Sequence, residues 1–157
     1  VKISDNGLKL IESFEGLFLK AYQCQAKLWT IGYGTIKYPN GEKVKKGDVC
    51  TQEQANNWLR FEVIEKCGEL DRVIAKYNVS FTQNQFDAVS SFIYNTGAGV
   101  LKSDRSFGSA LIAKDQKGMA DSLLLYCKYR NLFGMKVTSR GLLNRRKAER
   151  ELFLRQD

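Results

Sequence analysis

The chain has no histidine, one proline and no long apolar run in its 157 residues. Without an imidazole, every acid or base step must use carboxylate, thiol, tyrosine or lysine, which excludes a histidine-dependent triad and the common histidine-rich metal sites. No metal or other cofactor is expected. Apolar stretches such as SLLLYC end after a few residues, far short of the roughly 20 needed to cross a bilayer. Nothing resembles a signal peptide, and SDNGLKLIE follows Val1 almost at once as a helix start, so little is expected to be missing at the N-terminus. Cysteine is sparse as well. Cys24, Cys50, Cys67 and Cys127 are too widely spaced for a disulfide-dense scaffold and include no C-x-x-C pair, which favours reduced thiols over zinc or redox chemistry. Cys67 and Cys127 lie in helical patterns and read as small core residues.

What is present fits one compact domain. The composition is 43% apolar and 27% charged, enough to bury a real core at this length. Twenty-five Lys and Arg against seventeen Asp and Glu give a net charge of +8, which favours an anionic partner such as nucleic acid, a membrane surface or an acidic polymer. Charge alone does not choose among these.

Helix-like and strand-like segments are unevenly distributed. SDNGLKLIESFEG has a Ser/Asp/Asn start, apolar Leu8, Ile11 and Phe14, and a glycine directly after Glu15, so it reads as a short amphipathic helix ending at that glutamate. From Leu19 to Val44 the β-prone runs KAYQ, LWTIGYGTIKY and EKV, broken by glycines and a PNG turn, predict a small antiparallel sheet. Helical spacing returns at TQEQANNWLRFEVIEKCGELDRVIAKY, with Thr51 opening a capping box and Trp58, Leu59, Val63, Ile64, Leu70, Val73 and Ile74 as its apolar stripe. Four more helices are expected in TQNQFDAVSSFIYN, SFGSALIAK, KGMADSLLLYCKY and SRGLLNRRKAERELFLR. The fold class is therefore α+β and mainly helical. A small lobe at about 16–50 stands against a helical lobe at about 51–157, which also takes in the helix 4–15.

The stretch ESFEGLFLKAYQCQAKLWTIGYGT holds the residues best able to do chemistry. Glu15 at a helix C-terminus faces the negative end of the dipole, so its acid form should persist to higher pH, as a proton donor requires. Glu12, one turn earlier, reads as an ordinary surface acid. The stretch, with Glu, eight residues, Cys, five residues and Thr, closely resembles the active-site segment of T-even-type phage lysozymes, whose members carry Glu, then Asp or Cys, then Thr at these intervals. TQNQFDAVSSFIYNTG resembles that family's central buried helix and the loop opening onto its cleft, and GLLNRRKAERELF its late helix, so the likeness covers nearly the whole chain.

The resemblance implies a lysozyme-like two-lobe fold and a bacteriolytic endolysin. Such an enzyme hydrolyses the β-1,4 bond between N-acetylmuramic acid and N-acetylglucosamine in peptidoglycan, for host cell lysis and phage release. By resemblance Glu15 is the general acid, Cys24 stands where aspartate is more usual, and Thr30 helps hold the attacking water with inversion at the anomeric carbon. Cys24 is then either a thiolate acting as base or nucleophile, favoured by Lys20, Lys27 and the positive field, or a passive spacer. A disulfide to Cys50 is a further alternative. The resemblance also puts Arg145 beside Glu15, orienting it while opposing the helix-end effect. Spacing adds that Leu142, Arg145, Glu149 and Phe153 share one helix face, with partial burial of the charged pair. Asn95 either faces the cleft, where it could bond a sugar amide, or caps its helix before Gly97. Tyr22, Trp29 and Tyr33 are left open between core and sugar-facing roles.

Peptidoglycan is the expected substrate, with electrostatic contact to an anionic envelope, no nucleic-acid partner and a monomeric state. The expected location is the host cytoplasm before lysis. Two rival readings use the arginines of NRRKAER as a nucleic-acid patch, without a known binding motif, or use RRKAERELFLR as an amphipathic membrane-surface helix, which its glutamates weaken.

Overall fold

The computed structural model describes residues 2–156, so Val1 and Asp157 lie outside the described residues. It has the expected α+β form, a small antiparallel hairpin region beside a larger helical body. Helix α1 spans Asp5–Phe14, with the Ser4 side chain accepting a hydrogen bond from Gly7 N and Glu15 as its non-helical C-cap. Strands β1 (Phe18–Gln23) and β2 (Trp29–Gly32) follow and pair antiparallel, with Tyr22 opposite Thr30. The expected run LWTIGYGTIKY does not continue as a strand. Gly32 and Gly34 both take positive φ, the left-handed region open to glycine, and turn the chain away. Ile31–Thr35 and Lys37–Lys43 survive as isolated bridges, so EKV is not a full strand.

Helix α2 (Gln52–Tyr77) carries the Thr51–Gln54 capping box and ends at Asn78 in a left-handed conformation. Its fully buried line is Ala55, Leu59, Val63, Cys67 and Leu70, a repeat of three or four residues that matches one helix face. Ile64, expected on that stripe, is exposed. At 26 residues the helix is about 39 Å long, long enough to run from the hairpin region through the helical body.

Helix α3 (Gln83–Thr96) is the centre of that body. Every residue from Gln85 to Tyr94 is buried, because α1, α2 and α6 (Arg140–Leu154) pack around it. A 3₁₀ turn at Ala98–Leu101, α4 (Ser106–Ile112) and α5 (Gln116–Leu123) complete the body. The helix expected through KGMADSLLLYCKY stops at Leu123, and Cys127 is buried in the segment after it rather than in a helix. Lys128–Arg130 (β3) and Lys136–Thr138 (β4) instead form a second hairpin. The NLFG segment between them turns the chain back, with Gly134 at φ 75°. Among the described residues no helix is long and apolar enough to cross a membrane.

The start of α1 is fixed to α3 by a buried carboxylate. Asp87 is fully buried and accepts from Ser4 N at 2.9 Å, from the Ser4 hydroxyl and from Gln83 Nε2 at 2.9 Å. Glycine at position 7 permits that approach, since a Cβ there would lie 2.7 Å from the Asp87 carboxyl carbon and 2.8 Å from Ile3. Forcing a methyl into such a contact costs about 1–3 kcal/mol. Gly7→Ala is therefore expected to lower the melting temperature by several degrees; an unchanged melting curve would show that α1 can shift freely away from Asp87.

Candidate active site

Helix α6 places two adjacent arginines inward, one turn before a glutamate. Glu149 is fully buried, Arg146 is fully buried, and Arg145 retains 4% exposure. Arg145 Nε lies 3.2 Å from Glu149 Oε1, and Arg146 Nη2 donates to the same oxygen at 3.0 Å. Arg146 Nε sits 2.8 Å from Glu149 Oε2 but off the hydrogen-bonding direction, so that contact is ionic. The Ser91 hydroxyl of α3 donates to Glu149 Oε1 at 2.7 Å. Burial pushes the Glu149 carboxyl above the usual carboxylate range, while Arg146, the Ser91 hydroxyl and Arg145 oppose that shift. The partial burial expected for the pair is thus complete burial, because α6 packs directly on α3.

From this centre the two guanidiniums reach outward in different directions. Arg145 Nη1 donates to Glu15 Oε1 at 2.6 Å, and the Phe14 ring lies 5.6 Å from the guanidinium carbon. Phe14 is therefore not a core residue of α1 as its spacing suggested; it is 36% exposed. Glu15 itself keeps 27% side-chain exposure, so one oxygen is held while the carboxyl still meets solvent. Arg146 Nη2 donates to Asn95 Oδ1 at 3.0 Å. Arginine is only a donor, so the Asn95 oxygen must face it and the NH₂ points away. Asn95 is exposed, lies within α3 rather than capping it, and lines a groove of about 480 Å³ with Lys102, Arg105, Tyr126 and Lys128.

Cys24 and Thr30 form a separate pair at the tip of the first hairpin. Cys24 directly follows β1, its N–H donating to Leu28 O at 3.0 Å, and Lys27 closes the turn at φ 58°. Thr30 is buried, with its hydroxyl donating to Leu28 O at 3.1 Å. The Cys24 thiol is held below its ordinary value first by hydrogen bonding from the Leu28 backbone, then by the Thr30 hydroxyl and nearby backbone. Lys20 and Lys27, expected to lower it, are not among the causes. A hydroxyl carries one proton, so the Thr30 O–H serves the Leu28 carbonyl beside a neutral thiol and can turn to the sulfur when it ionises. All four cysteines are free, which removes the Cys24–Cys50 disulfide. Burial raises the Cys50 and Cys67 thiols instead.

The described residues thus bring Glu15, Arg145 and Asn95 into one network and set Cys24 beside Thr30, with no hydrogen bond or ion pair between the two groups. Tyr33 is buried, whereas Tyr22 and Trp29 are half-buried. Arg146 and Ser91 escaped the sequence reading. Arg146 stands three residues before Glu149, a helical-neighbour spacing that could have marked it; Ser91 carried no such signal. No group of three or more Cys, Asp or Glu among the described residues is arranged to hold a metal ion. Arg145 and Arg146 are buried against carboxylates and α6 turns Phe153 into the core, so these three side chains do not face a partner as either rival reading used them.

Residues 12–149 match the family described as phage lysozyme. The chain belongs to the phage lysozyme family. It is therefore a hydrolase of the peptidoglycan-degrading endolysin type. An endolysin of Acyrthosiphon pisum secondary endosymbiont phage 1 is 37% identical, over 96% of this chain and 97% of that one. An endolysin of Bacillus phage B103 is 40% identical over 98% of this chain, which spans only 54% of that relative's length. Among solved structures, an endolysin from Escherichia coli O157:H7 phage FAHEc1 superposes with a TM-score of 0.86 at 38% identity, covering 98% of this chain and 94% of that one. The muramidase domain of SpmX from Asticaccaulis excentricus does so at 0.85 and 29% identity, covering 99% of both.

Two outcomes are expected of these side chains. Arg145→Ala removes one of the two cations around a buried carboxylate, and should lower stability by roughly 3 kcal/mol, a fall in melting temperature of about 6 °C or more; an unchanged melt would place the arginine outside the core network. Titrated with iodoacetamide across pH, Cys24 should react first, with a midpoint below the 9.0 ordinary to a thiol, followed by Cys50 and Cys67. Peptide mapping of the alkylated protein reads the order, and equal reactivity of Cys24 and Cys50 would contradict it.

Proposed function

We propose that the chain cleaves the β-1,4 bond between N-acetylmuramic acid and N-acetylglucosamine, using Glu15 as general acid and the Cys24 thiolate as the base that activates water. The observation that carries this reading is Glu15, held at the C-cap of α1 by Arg145 with its carboxyl still open to solvent; the surroundings of Cys24 at the hairpin tip, which favour the ionised sulfur, support it. A thiolate there supplies the negative charge that aspartate more usually brings in the family. Glu15 gives its proton to the glycosidic oxygen as the C–O bond breaks, water adds from the opposite face, and its proton passes to sulfur. Proton exchange with solvent then returns the thiol and carboxylate to their starting forms. Thr30 positions the water, Arg145 orients the acid, and the NH₂ of Asn95 donates to a sugar amide oxygen. The substrate is peptidoglycan, a single chain acts alone, and the protein resides in the host cytoplasm until the membrane is breached.

Clearing of permeabilised Gram-negative cells by a set of variants tests the roles together. Glu15→Gln should fold normally and lose about 10²- to 10⁴-fold in rate; retention of more than about a tenth of the activity would remove Glu15 as the acid. Cys24→Asp should keep substantial activity and Cys24→Ser should be far weaker, because a hydroxyl does not ionise near neutral pH. A fully active serine form would reduce Cys24 to a spacer and leave Glu15 and Thr30 untouched. With the native enzyme, lysis should rise with pH as the thiol ionises, and the Asp form should not share that rise. Borohydride reduction of the digest identifies the bond: muramitol ends are expected, and glucosaminitol ends would assign the other glycosidic linkage.

A further inference from the structure

The second hairpin carries a feature that the proposed chemistry does not use. Leu132 and Phe133 at its tip are 102% and 85% exposed, and Met135 beside them is 57% exposed. Hydrogen bonds close this tip. Asn131 Oδ1 accepts from Phe133 N and Met135 N at 3.0 Å each, Asn131 N donates to Met135 O at 2.9 Å, and Arg130 Nη1 donates to Gly134 O at 2.8 Å. Two large apolar side chains are thus held outward by a turn whose polar groups are already satisfied, so little ordering cost remains when they dock.

Charge along the chain on both sides of the tip is of one sign. Between Asp121 and Glu149 the chain has no acidic residue and seven Lys or Arg, of which Lys128, Arg130, Lys136 and Arg140 are exposed on or beside the hairpin. We propose that this hairpin docks the protein on an anionic lipid surface, Leu132 and Phe133 entering between headgroups while the flanking cations meet lipid phosphates. The combination of apolar tip and cationic collar is what such a surface recognises, since burial of the tip and charge attraction act at the same depth. The alternatives fit less well. A protein interface needs about 800 Å² per partner, and an aromatic side chain buries only about 150–250 Å², so three side chains on a convex turn fall short. A hydrated glycan would satisfy the cations but return nothing for the exposed leucine. This inference stands independently of the roles given to Glu15, Cys24 and Thr30.

Co-sedimentation of the purified chain with vesicles of phosphatidylglycerol and phosphatidylethanolamine, compared with phosphatidylcholine vesicles, tests it. The native protein should bind the anionic vesicles, and Leu132→Ser/Phe133→Ser should lower the partition coefficient about tenfold or more at unchanged net charge and unchanged melting temperature. Lys128→Gln/Lys136→Gln should weaken binding and its salt dependence. A single Phe133→Trp variant guards against misfolding of the double variant: brominated lipid should quench its emission more than that of the native protein, which has Trp29 and Trp58 only. Serine variants that bind anionic vesicles as tightly as the native chain would overturn the proposal, leaving net charge alone as the cause. So would loss of a concentration-dependent dimer, or of retention on purified sacculi, without loss of vesicle binding; these would assign the tip to a second copy or to the wall.

Discussion

A carboxylate with no access to water is held between two guanidiniums, and the arrangement of helices α3 and α6 follows from it. Glu149 is stable as a buried ion only while Arg145, Arg146 and Ser91 all reach it, and those contacts exist in one register of α6 against α3. Replacing such a cluster with apolar residues is often neutral or stabilising, so its value lies in fixing geometry rather than in net energy. The fixed geometry is then exported. Arg145 extends it to Glu15 at the end of α1 and Arg146 to Asn95 at the end of α3, so two residues distant in the chain share one internal reference point.

The first hairpin is set by other means. Among the described residues no buried ion pair reaches Cys24 and Thr30; a two-strand ladder, a left-handed residue at Lys27 and backbone hydrogen bonding around Leu28 do the positioning. That local frame explains why the thiol shifts without help from lysine charges. A hydrogen bond to sulfur acts at contact distance, whereas flexible exposed lysines are screened by water and salt. The Glu15 carboxyl is therefore held by the core and the Cys24 thiol by a turn, two supports that share no hydrogen bond or ion pair among the described residues.

The capping box at Thr51, the Ser4 start and much of the apolar stripe of α2 were readable because each is a short-range pattern with one dominant explanation. The pairing of Arg145 with Glu15 came from resemblance, since no local rule joins residues 130 apart in sequence. Reading failed where local preference was ambiguous. SLLLYCKY continues a helical pattern on paper, yet the chain leaves the helix at Leu123 and forms the β3–β4 hairpin before α6 begins. Phe14 looked like an apolar-face residue and serves instead as a ring beside a guanidinium. Burial of Arg146 was missed for a related reason: its spacing to Glu149 marks a pair, but an arginine reads as surface until its carboxylate and amide partners are located in three dimensions.

Ten consecutive buried residues in α3 also imply a gradient of cooperativity across the molecule. An amide enclosed on every side by other helices exchanges its hydrogen only when the whole domain opens, whereas short strands with exposed side chains open by themselves. The amides of Phe86 to Tyr94 therefore belong to the slowest-exchanging class and those of Lys128 to Thr138 to the fastest. The part of the chain that presents Leu132 and Phe133 can open and close many times within one lifetime of the core that supports it.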